Sequence, residues 1–61
     1  MNSSEVEEAM TMINDCLNKD RKLSAWEADF LDSIKDQLID KGRLSEKQLE
    51  TLNTIWEKVT S

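Results

Sequence analysis

A helix start signal occurs three times in this sequence, and it leaves few folds open to the chain. Each signal is a serine followed three residues later by Glu or Gln, and the pairs are Ser4 with Glu7, Ser24 with Glu27, and Ser45 with Gln48. In such a capping box the serine accepts a hydrogen bond from the third helical amide, and the Glu or Gln accepts one from the amide of the serine. The pattern predicts three helices.

Apolar residues at steps of three and four follow each start signal, which is the spacing of one helix face. The predicted helices cover residues 5–18, 25–41 and 46–59. Their predicted core stripes are Val6, Met10, Ile13 and Leu17; Trp26, Phe30, Leu31, Ile34 and Leu38; and Leu49, Leu52, Ile55, Trp56 and Val59. Gly42 is the only glycine, and we expect it to end the second helix in a left-handed conformation.

The length of 61 residues and the absence of proline predict one domain of uninterrupted helices over residues 1–61. Short connections favour antiparallel neighbours, so we expect an all-α three-helix bundle in up-down-up order. A helix pair with the third helix lying across it is the alternative. An offset of 21 residues relates Ile13, Ile34 and Ile55, and three similar helices explain it more simply than a duplication.

The inventory of reactive groups argues against an enzyme. The sequence has no histidine to act as a general base near neutral pH. It has no glycine-rich phosphate loop and no calcium-binding motif. Its single cysteine, Cys16, lies within a helix, where a buried thiol is usually inert. We therefore expect no catalytic residue, no cofactor, no metal and no small-molecule substrate.

The net charge of −5 disfavours non-specific binding to nucleic acid or to anionic membranes, although it leaves a local basic patch open. No apolar run has the length of a membrane span, and no signal peptide opens the chain. Together with a free cysteine, this pattern predicts a cytoplasmic protein with no membrane partner.

A first candidate surface combines aromatic and basic side chains. If the second and third helices are antiparallel, Trp26 and Trp56 reach the same end of the bundle. Bases stack on aromatic rings and phosphates pair with cations, so this end has the features of a single-strand binding surface. A second basic loop, with Lys47, lies at the opposite end. The candidate nucleic-acid residues are Arg21, Lys22, Trp26, Lys47 and Lys58. The competing interpretation, which the sequence favours, is that both rings close the core.

A second candidate surface is apolar. Met12 and Cys16 lie on a flank of the first helix outside its predicted stripe, and Ile39 extends the stripe of the second helix. Apolar flanks left exposed often contact a partner, and methionine suits adaptable contacts. The alternative function is therefore an acidic protein-interaction module, as a homodimer or docked on a larger protein, without nucleic-acid affinity.

From Leu23 the chain reads LSAWEADFLDSIKDQL, and from Gly42 it reads GRLSEKQLETLNTIW. These stretches resemble a helical segment of small phage-encoded proteins and are most similar to the accessory proteins associated with the UvsW helicase of T4-like phages. The resemblance covers residues 23–56, and the positions that carry it are Ser24, Trp26, Glu27, Phe30, Ser33, Ile34, Gln37, Leu44, Ser45, Lys47, Gln48, Leu52 and Ile55. Trp26, Lys47 and Gln48 are the positions that helix formation does not demand.

The resemblance implies a helical protein that acts in phage DNA replication, recombination or repair. It implies a nucleic-acid-binding or helicase-associated module in the host cytoplasm. Its partners would be single-stranded or branched DNA, or a phage helicase or replication protein.

Overall fold

The computed structural model describes residues 3–61, with side chains from residue 4 onward, and this part of the chain forms three α-helices. They are α1 (Ser3–Asn18), α2 (Ala25–Lys41) and α3 (Glu46–Thr60), and a single 3₁₀ turn (Asp20–Lys22) lies between α1 and α2. The helices pack against one another. The predicted all-α three-helix fold is confirmed, with helix ends within two residues of those predicted.

Capping boxes begin α2 and α3 as predicted. The Ser24 amide donates to Glu27 Oε1 at 2.8 Å, and the Ser45 amide donates to Gln48 Oε1 at 2.8 Å. The predicted box at Ser4 is wrong, because α1 begins at Ser3 and Ser4 therefore lies in its first turn. The amides of the first turn lack helical acceptors wherever a helix begins. A helix that begins before Ser4 therefore loses no helical hydrogen bond.

Side-chain contacts at both ends show that α2 and α3 are antiparallel. Lys58, near the end of α3, pairs with Glu27 at the start of α2. Gln48 and Gln37 exchange two hydrogen bonds, of 2.9 and 3.0 Å, where α2 ends and α3 begins. The pair meets less extensively than either helix meets α1, which leaves an open groove between α2 and α3.

The overall dimensions fit three aligned helices. The chain measures 30 × 19 × 19 Å along its principal axes. Helices of 15 to 17 residues are roughly 22–26 Å long, which exceeds both short dimensions of the chain. These dimensions favour helices aligned with the long axis over one helix lying across the other two.

The buried stripe of α1 differs from the predicted one. Ala9, Ile13 and Cys16 are buried, whereas Val6, Met10 and Leu17 are only partly buried against the core. The prediction ranked residues by size and hydrophobicity, but α1 packs against two helices, and its small side chains allow their close approach. The rest of the buried apolar core is Leu31, Ile34, Leu38, Leu44, Leu52, Ile55 and Val59. None of the described helices combines the length and the apolar character needed to cross a membrane.

Gly42 ends α2 in the left-handed conformation that the sequence predicts, with φ 70° and ψ 20°. Its amide donates to the Leu38 carbonyl at 2.9 Å, and an added Cβ would meet no atom within 4 Å. We expect Gly42→Ala to lower the free energy of unfolding by about 1 kcal/mol through backbone strain alone. Urea denaturation should show a lower midpoint with an unchanged slope. Gly42→Asn should cost less, and equal stability of all three proteins would contradict this assignment.

Candidate nucleic-acid interface

A buried carboxylate organises the end of the bundle where α2 begins and α3 ends. Glu27 is 5% exposed, and its Oε1 accepts hydrogen bonds from the Lys58 ammonium at 2.5 Å and from the Ser24 hydroxyl at 3.0 Å. The hydrogen bond from Lys58, followed by that from the Ser24 amide, holds the pKa of Glu27 below its ordinary value of 4.5. Sequence reasoning identified Glu27 only as a capping residue and missed this ion pair.

The lowered pKa of Glu27 predicts a specific loss of stability in acid. A carboxyl group with a lowered folded-state pKa contributes stability that is complete above its unfolded-state pKa and disappears as the pH falls through the folded-state pKa. We expect the Tm of the wild type to fall more steeply below about pH 4.5 than that of Glu27→Gln. Lys58→Met removes the main cause of the shift and should flatten the profile in the same way. Parallel Tm profiles for all three proteins would refute the assignment.

Two of the predicted nucleic-acid lysines have structural partners. Lys58 binds Glu27 while its side chain stays 49% exposed. The Lys22 ammonium donates to the carbonyls of Val59 at 3.4 Å and Ser61 at 3.2 Å, and thereby ties the turn before α2 to the end of α3. Arg21 is exposed, and no acceptor within the described part of the chain binds it.

The two tryptophans have different environments. Trp26 is 60% exposed, so the interpretation that it closes the core is wrong. Trp56 is partly buried against the core, as that interpretation requires. The Trp56 indole Nε1 is buried and has no hydrogen-bond acceptor among residues 4–61. Trp26 is therefore the tryptophan that a ligand can reach.

Between α2 and α3 lies an open groove of about 450 Å³, which we call the α2–α3 groove. Its walls are mostly apolar, and its lining residues are Phe30, Ser45, Lys47, Gln48 and Thr51. A second depression of about 400 Å³ adjoins it at Ser45, and its other lining residues are Gln37, Lys41, Arg43 and Leu44. Lys47 thus lines the groove, and Lys41 and Arg43 line the second depression.

The sides of α2 and α3 that flank this groove form one surface, which we call the α2–α3 face. Steps of three and four residues place its members along facing helix sides. They are Trp26, Phe30, Ser33, Gln37 and Lys41 on α2, and Lys47, Thr51, Thr54 and Lys58 on α3. The groove between Phe30 and Thr51 and the glutamine pair establish that these sides meet.

Charge is distributed unevenly around the two helices. No acidic residue lines either depression, and Glu27, at the edge of the face, is paired with Lys58. Exposed acids flank the face, and Asp29, Asp36 and Glu50 each lie three or four residues from one of its members. In the described part of the chain no carboxylate pairs with Lys41, Arg43 or Lys47. A chain of net charge −5 therefore presents a locally basic, partly aromatic surface.

The α2–α3 face connects candidate residues that sequence reasoning assigned to separate ends. Trp26 and Lys58 lie at one end of the face and Lys47 at the other, while Arg21 and Lys22 lie in the turn before α2. Sequence reasoning missed the contributions of Phe30 and Thr51. The available signal was the run of neutral and basic residues at helical spacing along α2 and α3.

The predicted protein-contact residues do not form one exposed patch. Cys16 is fully buried, so its assignment to an exposed flank is wrong, and burial, with added effects of Asp15 and Glu27, raises the pKa of its thiol. Met12 is partly buried against the core. Only Ile39, at 67% exposure, projects into solvent.

The chain matches no protein-family model, no curated protein and no solved structure. In residues 3–61, no group of three or more His, Cys, Asp or Glu side chains is arranged to hold a metal ion. The chemistry of the α2–α3 face is consequently the basis on which a function can be argued.

Proposed function

We propose that this protein is a non-enzymatic phage accessory module of DNA replication, recombination or repair that contacts single-stranded DNA through the α2–α3 face. One observation carries the proposal: exposed Trp26 and unpaired cations share this face, and no acidic residue lines its two depressions. Basic grooves with aromatic side chains are how proteins bind single strands without reading their sequence.

The distribution of charge explains how an acidic chain can bind DNA. Interactions between exposed charges weaken beyond the screening length, which is about 8 Å at physiological ionic strength. Acids beyond that distance are therefore screened from a strand at the two depressions, whose linings contain no acid. Lys41, Arg43 and Lys47 are free to neutralise phosphates. Affinity should be modest, because few contacts are available and the whole chain remains negative.

The phage and helicase context of the proposal comes from the resemblance over residues 23–56. That segment includes all of α2 and most of α3, so it includes nearly the whole α2–α3 face. Of the three positions not demanded by helix formation, Gln48 is accounted for by its cap and its pairing with Gln37. Trp26 and Lys47 have exposed side chains on the face, so a bound strand can contact both of them there.

Tryptophan fluorescence tests the proposal. Single-stranded and forked DNA are titrated in at low and moderate salt, with the wild type and with Trp26→Phe, which keeps Trp56 as an internal reference. We expect quenching that weakens with salt and that is largely lost in Trp26→Phe. An unchanged signal at low salt, where electrostatic attraction is strongest, together with unchanged anisotropy of a labelled strand, would overturn the proposal.

The exposure of Ile39 favours a second candidate, a protein-interaction module without nucleic-acid affinity. A homodimer through Ile39 would bury the large apolar side chain that is most exposed on this chain's described surface. Sedimentation should then show a dimer that dissociates in Ile39→Asp. Met12→Asp is a poorer probe, since Met12 packs against the core. A wild type that stays monomeric at high concentration would reject the dimer.

A further inference from the structure

We infer that the α2–α3 groove receives one unstacked base of a single DNA strand, with Phe30 beneath the base and Lys47 beside its phosphate. The inference rests on the proposed function and specifies the chemical class that its site accepts. It follows from the shape of the groove, from its apolar walls, and from the hydrogen bonds that its polar side chains already make.

The groove supplies an apolar surface at the right position. Phe30 is partly buried against the core, and it also lines the groove. Trp26 precedes Phe30 by one turn on the same side of α2, at an axial distance of roughly 6 Å. Two aromatic side chains thus follow each other along the α2–α3 face, one exposed and one recessed. A strand that stacks a base on Trp26 can place a neighbouring base in the groove.

The unpaired cations around the groove favour a ligand with several negative charges. Lys47 lines the groove, is exposed, and has no carboxylate partner in the described chain. Lys41 and Arg43 border the adjoining depression. No acidic residue lines either depression, so an occupant that combines apolar rings with regularly spaced negative charges is the best match. A single strand has both properties, whereas an acidic peptide offers the charges without a ring at every step.

The Gln48 amide and the Thr51 hydroxyl, which line the groove, already make hydrogen bonds within the protein, so the groove should not read base identity. Gln48 Oε1 accepts from the Ser45 amide and from Gln37, and Gln48 Nε2 donates to Gln37 at 2.9 Å. The Thr51 hydroxyl donates to the Lys47 carbonyl at 3.0 Å. Base discrimination needs free donors and acceptors directed at base edges. We therefore expect sequence-tolerant binding that requires an unpaired base, because a base within a duplex cannot enter the groove without leaving its stack.

Two strands that differ only in their bases test the inference. Labelled oligo-dT and an abasic strand of equal length carry the same number of phosphates, so anisotropy separates base contact from charge. We expect the abasic strand to bind about tenfold more weakly, the scale of one or two lost stacking contacts. Thr51→Phe fills the groove and should reduce oligo-dT affinity severalfold without changing abasic-strand affinity. Asn53→Phe adds the same ring on the outer side of α3 and should leave both affinities unchanged.

The outcomes distinguish the inference from the proposed function. If neither strand binds, the proposed function fails and the inference fails with it. If both strands bind equally, the protein contacts phosphates and the base site is refuted while the proposed function stands. If oligo-dT binds better but Thr51→Phe has no effect, the base contact lies outside the groove and the inference is wrong. Displacement of oligo-dT by polyglutamate of equal charge at equal concentration would also refute it. Circular dichroism confirms that each variant is folded.

Discussion

Leu31→Ala should lower the free energy of unfolding by about 2–5 kcal/mol, the usual cost of truncating a buried leucine. Leu31 is completely buried on α2, within the core that all three helices share. At roughly 0.05–0.15 kcal/mol per residue, a 61-residue chain has only about 3–9 kcal/mol of stability in total. The substitution should therefore remove a large share of the total stability, measured as a lower midpoint of urea denaturation followed by circular dichroism.

Ile39→Ala is the matched control for this prediction. It removes a branched aliphatic side chain from the same helix, but Ile39 is 67% exposed. We expect a change within about 0.5 kcal/mol, as for most surface substitutions. Similar losses in Leu31→Ala and Ile39→Ala would contradict the assignment of the core, or would show that Ile39 is covered in solution by a second copy of the chain.

Reversing the charges of Arg43 and Lys47 should produce the largest loss of DNA binding. The double variant Arg43→Glu, Lys47→Glu replaces two unpaired cations beside the grooves with acids. Each phosphate contact contributes about 0.7 to the salt dependence of single-strand affinity. We expect affinity at low salt to fall on the order of 10- to 100-fold, with a shallower dependence on salt. Anisotropy titrations at several salt concentrations measure both quantities.

The control for charge reversal is a second double variant that has the same net charge, with its two substitutions outside the α2–α3 face. Lys19→Glu, Lys35→Glu makes the same change in total charge, and neither residue belongs to the face. We expect it to bind single strands with nearly wild-type affinity. Equal weakening by both double variants would mean that total charge governs binding and that the face has no special role.

Local signals were sufficient to predict the order and extent of the helices. The boxes at Ser24 and Ser45 and the left-handed Gly42 depend on neighbouring residues only, and each is present. The buried side of α1 was predicted wrongly, because the choice between Ala9 and Val6 depends on how closely other helices approach. Hydrophobicity along the sequence contains no measure of that distance.

The candidate site was only partly accessible to sequence reasoning, because side-chain partners are set by tertiary packing. Lys58 and Glu27 are 31 residues apart in the chain and form an ion pair, so a lysine that looked free is engaged. Trp26 fits a helical apolar stripe but lies at its edge, where it is exposed. The α2–α3 face emerges only when the facing sides of both helices are known.

The most direct test of the central claim, that single-stranded DNA contacts the α2–α3 face, is a ¹H–¹⁵N NMR titration of the wild type with oligo-dT at low salt. We predict shifts of the Trp26 indole signal and of the amides of Lys47 and Thr51, with little change at the exposed outer positions Asp32 and Asn53. Saturation of the titration without shifts at Trp26, Lys47 and Thr51, or with shifts confined to α1, would contradict it.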